Sequence, residues 1–226
     1  MQRSHHRITA SALLIGGLTV LAGCFTGERA SIDVGATLPP TSVTGATGAA
    51  SLPTSAEQLA ELLGTPAKGP ETATYEITPT SQSTPVLAVV SRTNGRVVVS
   101  IRDVQYRTDE SGPVTCRTTT QACTPGFNAQ PLSDLGITAL FWGPGARQEL
   151  RSPGLAARIG PIAATTAEIL GQRVACIDIP GPQVTERYCA LPTGMLAAKS
   201  SARVVITLSA YTATFDDALW LEFADR

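Results

Sequence analysis

Pro85-Val86-Leu87-Ala88-Val89-Val90-Ser91-Arg92, then Asn94-Gly95, then Arg96 to Val104 with Val97, Val99 and Ile101 at alternate positions, is the stretch that decides the fold. Asn-Gly between two β-rich runs is the strongest short-range hairpin signal, because both residues accept the positive φ of a tight turn. The alternation places Val97, Val99 and Ile101 on one face, and the turn makes neighbours in sequence antiparallel neighbours in space. This predicts a meander rather than a series of βαβ units. Thr74-Tyr75-Glu76-Ile77-Thr78 opens it as a first strand.

The same alternation returns late in the chain. Gly194 to Lys199 reads as a strand, and Arg203 to Thr212 as another with Val204, Ile206 and Leu208 on one face. Between the two strand regions the period lengthens: Leu132, Leu135, Ala139 and Leu140 fit one helical face after Pro131, and Gln148 to Ile159 fits a further helix interrupted by Pro153-Gly154. Gly143-Pro144-Gly145 reads as a turn. Ahead of the first strand, Ser55 caps a short helix with Leu59, Leu62 and Leu63 on one side, and Gly64 ends it. The order helix, strands, helices, strands predicts an α+β domain, a curved antiparallel sheet with short helices closing one face.

Cysteine spacing adds covalent detail. Arg173-Val174-Ala175-Cys176-Ile177 and Val184-Thr185-Glu186-Arg187-Tyr188-Cys189 flank the turn signal Pro180-Gly181-Pro182, so a hairpin turning near Pro182-Gln183 sets Cys176 opposite Cys189. Directly opposed residues lie about 4.5 to 5.5 Å apart at Cα, within disulfide range. Cys116 and Cys123 are left to each other, closing a loop through Thr119-Thr120-Gln121. Zinc ligands come in pairs with about two to four residues between them, and these pairs are wider, so no metal site is expected.

The fifth cysteine has another explanation. Leu21-Ala22-Gly23-Cys24 closes an apolar run from Ile8 to Ala22 that follows Arg3 and Arg7. The run is shorter than the ~20 residues a spanning helix needs, and the pattern resembles the one on which bacterial lipoproteins are lipidated and cut. That resemblance implies a diacylglyceryl group on the Cys24 sulfur, loss of residues 1–23 as a signal peptide, and attachment to the outer side of the cell membrane through the acyl chains. An extracytoplasmic address also suits paired cysteines. Residues 24–53, rich in Thr, Ser, Gly, Ala and Pro without an apolar period, read as a flexible tether. Residues 54–226 form one domain, large enough for a core of its own.

Absences narrow the function. The only histidines, His5 and His6, precede Cys24, so the processed chain has none for a Ser-His-Asp or Cys-His nucleophile, an imidazole metal ligand or a histidine base. Asp109-Glu110 and Asp216-Asp217 are adjacent pairs, which on a strand point to opposite faces and cannot flank one substrate bond. They read as solvated turn or strand-edge acids. No phosphate loop or zinc-protease motif is present, and no cofactor is implied. With Arg3 and Arg7 removed, the remaining basic residues are outnumbered by 18 acidic ones, which argues against nucleic acid as a partner. Lysine occurs only at Lys68 and Lys199, a composition in keeping with a GC-rich genome.

Three segments carry a family likeness. Ala73 to Thr78 followed by Val89-Val90-Ser91-Arg92 and Gly95 to Val99, Ile169 to Cys176 followed by Arg187-Tyr188-Cys189, and Ala210-Tyr211-Thr212 to Phe215-Asp216-Asp217-Ala218-Leu219-Trp220 resemble actinobacterial lipoproteins related to LolA-type carriers and the mycobacterial LppX and LprG group. The resemblance implies an incomplete β-barrel closed by helices around an apolar cavity that binds or transfers a lipid or lipid-linked molecule without catalysis. Phe141, Trp142 and Leu155, large apolar groups beside turn signals, are the candidates to line its mouth. The alternative is the same fold with a filled core, acting as an interaction or sensing module toward another envelope protein.

Overall fold

The computed structural model describes residues 52–152, 161–181 and 183–223. The lipidation position Cys24, the signal peptide, nearly all of the tether and Leu155 lie outside them. The chain begins with helix α1 (Ala56–Leu63) and continues through β1 (Glu71–Pro79), β2 (Val86–Thr93), β3 (Arg96–Ile101), β4 (Val104–Asp109), β5 (Gly112–Arg117) and β6 (Ala122–Pro125). Helix α2 (Pro144–Leu150) follows, then β7 (Ala163–Ile169), β8 (Gln172–Ile179), β9 (Glu186–Ala190), β10 (Leu196–Ser200), β11 (Val204–Thr212) and α3 (Asp217–Leu221).

All eleven described strands form one antiparallel sheet in the order β6-β5-β4-β3-β2-β1-β11-β10-β9-β8-β7. Two meanders, one from each half of the chain, join where β1 pairs with β11. The sheet does not close: β6 and β7 are its edges. The Asn94-Gly95 turn is where the sequence puts it, with Gly95 at φ 82°. The run Arg96 to Val104 is two strands rather than one, because the chain reverses at Arg102-Asp103. Arg102 takes φ 55° there, and its guanidinium donates two hydrogen bonds to Asp134, of 3.1 and 2.8 Å.

The strand parity expected for the core holds. Val99 and Ile101 are buried, as are Val204, Ile206 and Leu208, and their face continues through Ala73, Tyr75, Ile77, Ala88 and Val90. α1 supplies Leu59, Ala60 and Leu63 to the same core, each fully buried. Burying a leucine side chain contributes about 1.5–3 kcal/mol, so α1 is held by packing more than by its own short ladder. Its ends are built as the sequence indicates: the Ser55 hydroxyl accepts from the Gln58 N–H at 3.2 Å, and the Gly64 N–H bonds back to Ala60 and Glu61. Gly194, at φ 89°, brings the β9–β10 turn so close to α1 that a Cβ there would sit 2.5 Å from the Leu62 carbonyl oxygen.

The middle of the chain corrects two expectations. Leu132, Leu135 and Ala139 are buried, yet they reach the core from a single 3₁₀ turn at Gln130–Leu132 and a run of turns, not from a helix. Gly136, at φ 66°, breaks the helical path. The Gly143-Pro144-Gly145 turn proves to be a helix start, with Pro144 at the first turn of α2, where its missing N–H leaves no bond unmade. The expected helix from Gln148 to Ile159 therefore overlaps α2 only as far as Leu150, and 153–160 lie outside the described residues.

A third correction concerns the helices' location. α3 packs against the face opposite the Val99 and Tyr106 side chains: the Gln105 amide donates to the Leu219 carbonyl at 3.0 Å and to Glu222 at 3.1 Å. The Arg107 guanidinium lies 4.3 Å from the Trp220 ring centroid. Val98, Ser91 and Gln105 are consequently buried although they alternate with core residues. The sheet is covered by helix on both faces, not one.

Candidate functional site

Lys199 stands where alternation would place an apolar residue, paired across the sheet with Ile206 on β11 and Tyr188 on β9. Its side chain is 7% exposed. A buried ammonium without a partner costs several kcal/mol, and the partner comes from α2: Glu149 Oε2 lies 2.5 Å from Nζ. The Tyr188 hydroxyl donates to the same oxygen at 3.1 Å and to Glu186 Oε2 at 3.2 Å. Nζ also lies 5.5 Å from the Tyr188 ring centroid.

Burial, and then the two carboxylates beside it, push the Tyr188 phenol well above its ordinary range. Its hydroxyl therefore stays protonated and acts as a donor. Glu149 and Lys199 hold each other as an ion pair. Around this cluster opens a cavity of about 410 Å³, bordered also by Gln183, Val184, Ser201 and Arg203. Its wall is mainly charged and hydroxylic. Such a wall suits hydrogen bonding to a polar group of a partner, not burial of an acyl chain.

An ion pair with both members buried lies nearer the sheet centre. Arg92 ends the alternating run Val86, Ala88, Val90 on the core face, and its Nε donates to Glu71 Oε1 at 2.7 Å with both side chains under 5% exposed. Nη2 donates to the Thr193 carbonyl at 2.6 Å, and the Tyr211 hydroxyl donates to Glu71 Oε2 at 2.9 Å. The guanidinium stands 5.0 Å from the ring centroid of Trp142.

Two of the residues expected at a cavity mouth are thereby located. Trp142 and Phe141 are each 4% exposed. Phe141 meets Tyr75 edge-on with centroids 5.2 Å apart, and the Tyr75 hydroxyl donates to the Leu196 carbonyl at 2.9 Å. Trp142 borders a groove of about 270 Å³ between the end of α1 and the β2–β3 turn, where its Nε1 has no hydrogen-bond partner among the described residues.

Both predicted disulfides form, Cys116 with Cys123 and Cys176 with Cys189, each between directly paired strand residues with Cα atoms 4.0 Å apart. The acid pairs have local roles: Asp216 caps α3 by accepting from the Leu219 N–H at 3.0 Å, and Asp109 accepts from the Ser111 N–H at 2.8 Å. Among the described residues no cluster of His, Cys, Asp or Glu could hold a metal ion.

No family model matches the chain, and no curated protein matches it. Among solved structures it is similar to PNGF-II, with a TM-score of 0.35 and 9% identity over 67% of this chain and 29% of that one. It is also similar to the Pseudomonas aeruginosa MucA/MucB complex, with a TM-score of 0.39 and 13% identity over 73% of this chain and 60% of that one. The chain thus spans under two thirds of the length of either.

The Glu149–Lys199–Tyr188–Glu186 cluster was not singled out from the sequence, though a signal existed. One of only two lysines lies on a strand at a position that pairs with Ile206. A charge at core parity demands a counter-charge, which is a search rule that spacing motifs do not contain.

Proposed function

We propose that this protein is a membrane-anchored extracytoplasmic lipoprotein whose LolA-like half-barrel works as a non-catalytic interaction or sensing module with a filled core. The observation that carries the reading is the packing of the inner face. Tyr75, Leu132, Leu135, Phe141, Trp142 and Leu150 are all buried there in one continuous cluster with α1. Side chains packed together across this face support a filled core over a cavity kept open for acyl chains. Among the openings at the surface is the polar cavity around Lys199 and Glu149, whose groups are engaged with one another in a way that suits recognition rather than turnover. The Cys24 pattern supports the tether, and the two disulfides support an oxidising compartment.

Lipid carriage, the reading implied by the family resemblance, keeps one support: Lys199 and Arg203 border the cavity beside Val184 and Val204, a pairing of cations with apolar surface that fits an anionic headgroup. Native mass spectrometry of the full chain released from membranes in mild detergent separates the two. The expected result is the chain with only its own covalent acyl groups. A retained, non-covalent lipid at stoichiometric level would overturn the filled-core reading and establish the carrier.

A further inference from the structure

The two edges of the sheet are finished differently. β6 is four residues long, ends in Pro125 and is joined to β5 by the Cys116–Cys123 disulfide. β7 is seven residues long, Ala163-Ala164-Thr165-Thr166-Ala167-Glu168-Ile169, with no proline, lysine or arginine. Its residues from Ala163 to Thr166 and Glu168 are exposed, and exposed apolar residues flank it: Ile162 at 47% and Leu170 at 51%. Short length, proline and charged side chains, lysine above all, are among the features by which proteins blunt an edge strand. Of these β7 has only Glu168.

Turn geometry says which backbone groups are on offer. Leu170 and Gly171 have φ of 52° and 73°, the two-residue type I′ turn, and Ile169 pairs with Gln172. In such a hairpin the closing pair exchanges both backbone hydrogen bonds, and the pattern alternates along the strand. Ile169, Ala167, Thr165 and Ala163 therefore bond to β8, while Ala164, Thr166 and Glu168 direct their N–H and C=O groups away from the sheet. The same phase makes Cys176 and Cys189 a pair without mutual backbone bonds, the closer kind, in keeping with their Cα separation of 4.0 Å.

We propose that β7 is a dimerisation edge, on which a second copy of this chain pairs antiparallel about a two-fold axis at Thr166. In that register Thr166 faces its own counterpart, Glu168 faces Ala164, and Ile162 faces Leu170, so the two exposed apolar flanks of one copy cover those of the other. The outward-facing groups of Ala164, Thr166 and Glu168 then supply about six backbone hydrogen bonds. A register centred on Glu168 would set two carboxylates opposite each other, which is destabilising. The contact is isologous and closes at two subunits. It does not depend on what the polar cavity binds.

Thr166→Cys in the full chain tests the register. Residues in a hydrogen-bonded pair have Cα atoms about 5.5 Å apart, within disulfide range, so membranes carrying this variant should yield a dimer on a non-reducing gel, while Glu168→Cys should not. Light scattering on the purified detergent-solubilised chain gives a second readout. Thr166→Lys and Thr166→Glu should each weaken self-association by about tenfold or more, and mixing the two should restore it. A monomeric parent chain, no cross-link at residue 166, equal cross-linking at 166 and 168, or charge variants that dimerise alone as the parent does would each overturn the proposal.

Discussion

Arg92→Met should be among the most damaging single substitutions in the protein, and the structure gives the size of the effect. The guanidinium and the Glu71 carboxylate are 2.7 Å apart, with side chains 3% and 4% exposed. Methionine has a comparable apolar stem but no charge, so the substitution leaves Glu71 buried with the Tyr211 hydroxyl as its remaining side-chain donor among the described residues and strips the Thr193 carbonyl of the Arg92 bond. Removing one partner of a buried pair costs about 3–5 kcal/mol, much of it the penalty of the stranded charge. For a chain of this size each kcal/mol corresponds to about 2–4 °C in Tm, so a fall of about 6–20 °C is expected. Urea unfolding followed by tryptophan fluorescence measures it directly, because Trp142 lies against the lost cation. The double variant Glu71→Gln/Arg92→Met removes both charges and should recover most of the loss, giving a coupling energy well above experimental scatter. A single-variant loss below about 1 kcal/mol, the value of a solvated surface pair, or strictly additive losses, would refute the reasoning.

Two further outcomes follow from the covalent and titrating groups. Cys123 is exposed whereas Cys176 and Cys189 are 0% and 2% exposed, so mild reductant followed by alkylation and peptide mapping should label the 116–123 pair first. Replacing both Cys176 and Cys189 by alanine should cost about 3 kcal/mol, and the 116–123 pair about 2.5 kcal/mol, from loop-closure entropy; equal labelling of both pairs would contradict the burial. All four tyrosines, Tyr75, Tyr106, Tyr188 and Tyr211, have phenols raised above 10, with burial the largest cause in each. The folded chain gives up these protons at higher pH than the unfolded chain, which ionises near pH 10, so the stability these phenols contribute is intact below about pH 10 and is lost as pH rises above it. Phenolate absorbance should thus appear together with unfolding, not ahead of it; four independent titrations near pH 10 in folded protein would sink that expectation.

Much of the architecture was legible from short-range signals. Asn94-Gly95 located a turn, strand parity located Val99, Ile101, Val204, Ile206 and Leu208 in the core, and Ser55 and Gly64 bounded α1. What went unread has physical causes. β4 to β6 are short strands rich in Thr, Arg and Gln, whose faces are set by pairing and by α3 rather than by their own hydrophobicity. β7 carries no buried face, so it leaves no alternating pattern to find. Leu132 and Leu135 have helical spacing but meet the core from consecutive turns, and periodicity cannot distinguish these when Gly136 intervenes. At the site, Phe141 and Trp142 were expected to line a cavity mouth because they are large apolar groups beside turn signals; both are buried, packed against Tyr75 and Arg92. The Lys199 cluster escaped because its members come from α2, β9 and β10, which no local spacing brings together.

The seam between β1 and β11 bears on how the chain reaches its native state. The Ser209 hydroxyl donates to the Thr74 carbonyl across a separation of 135 residues, in the strand pair at the middle of the sheet. Each flanking meander can assemble from hairpins as it emerges, and the two thiol pairs can oxidise within them. The halves cannot be zipped together until the last forty or so residues, roughly the span after the Cys189 hairpin, have been delivered. Collapse to the finished sheet is therefore a late and comparatively slow event, and until it happens both inner borders are available to chaperones, proteases and mispairing with a neighbouring nascent copy.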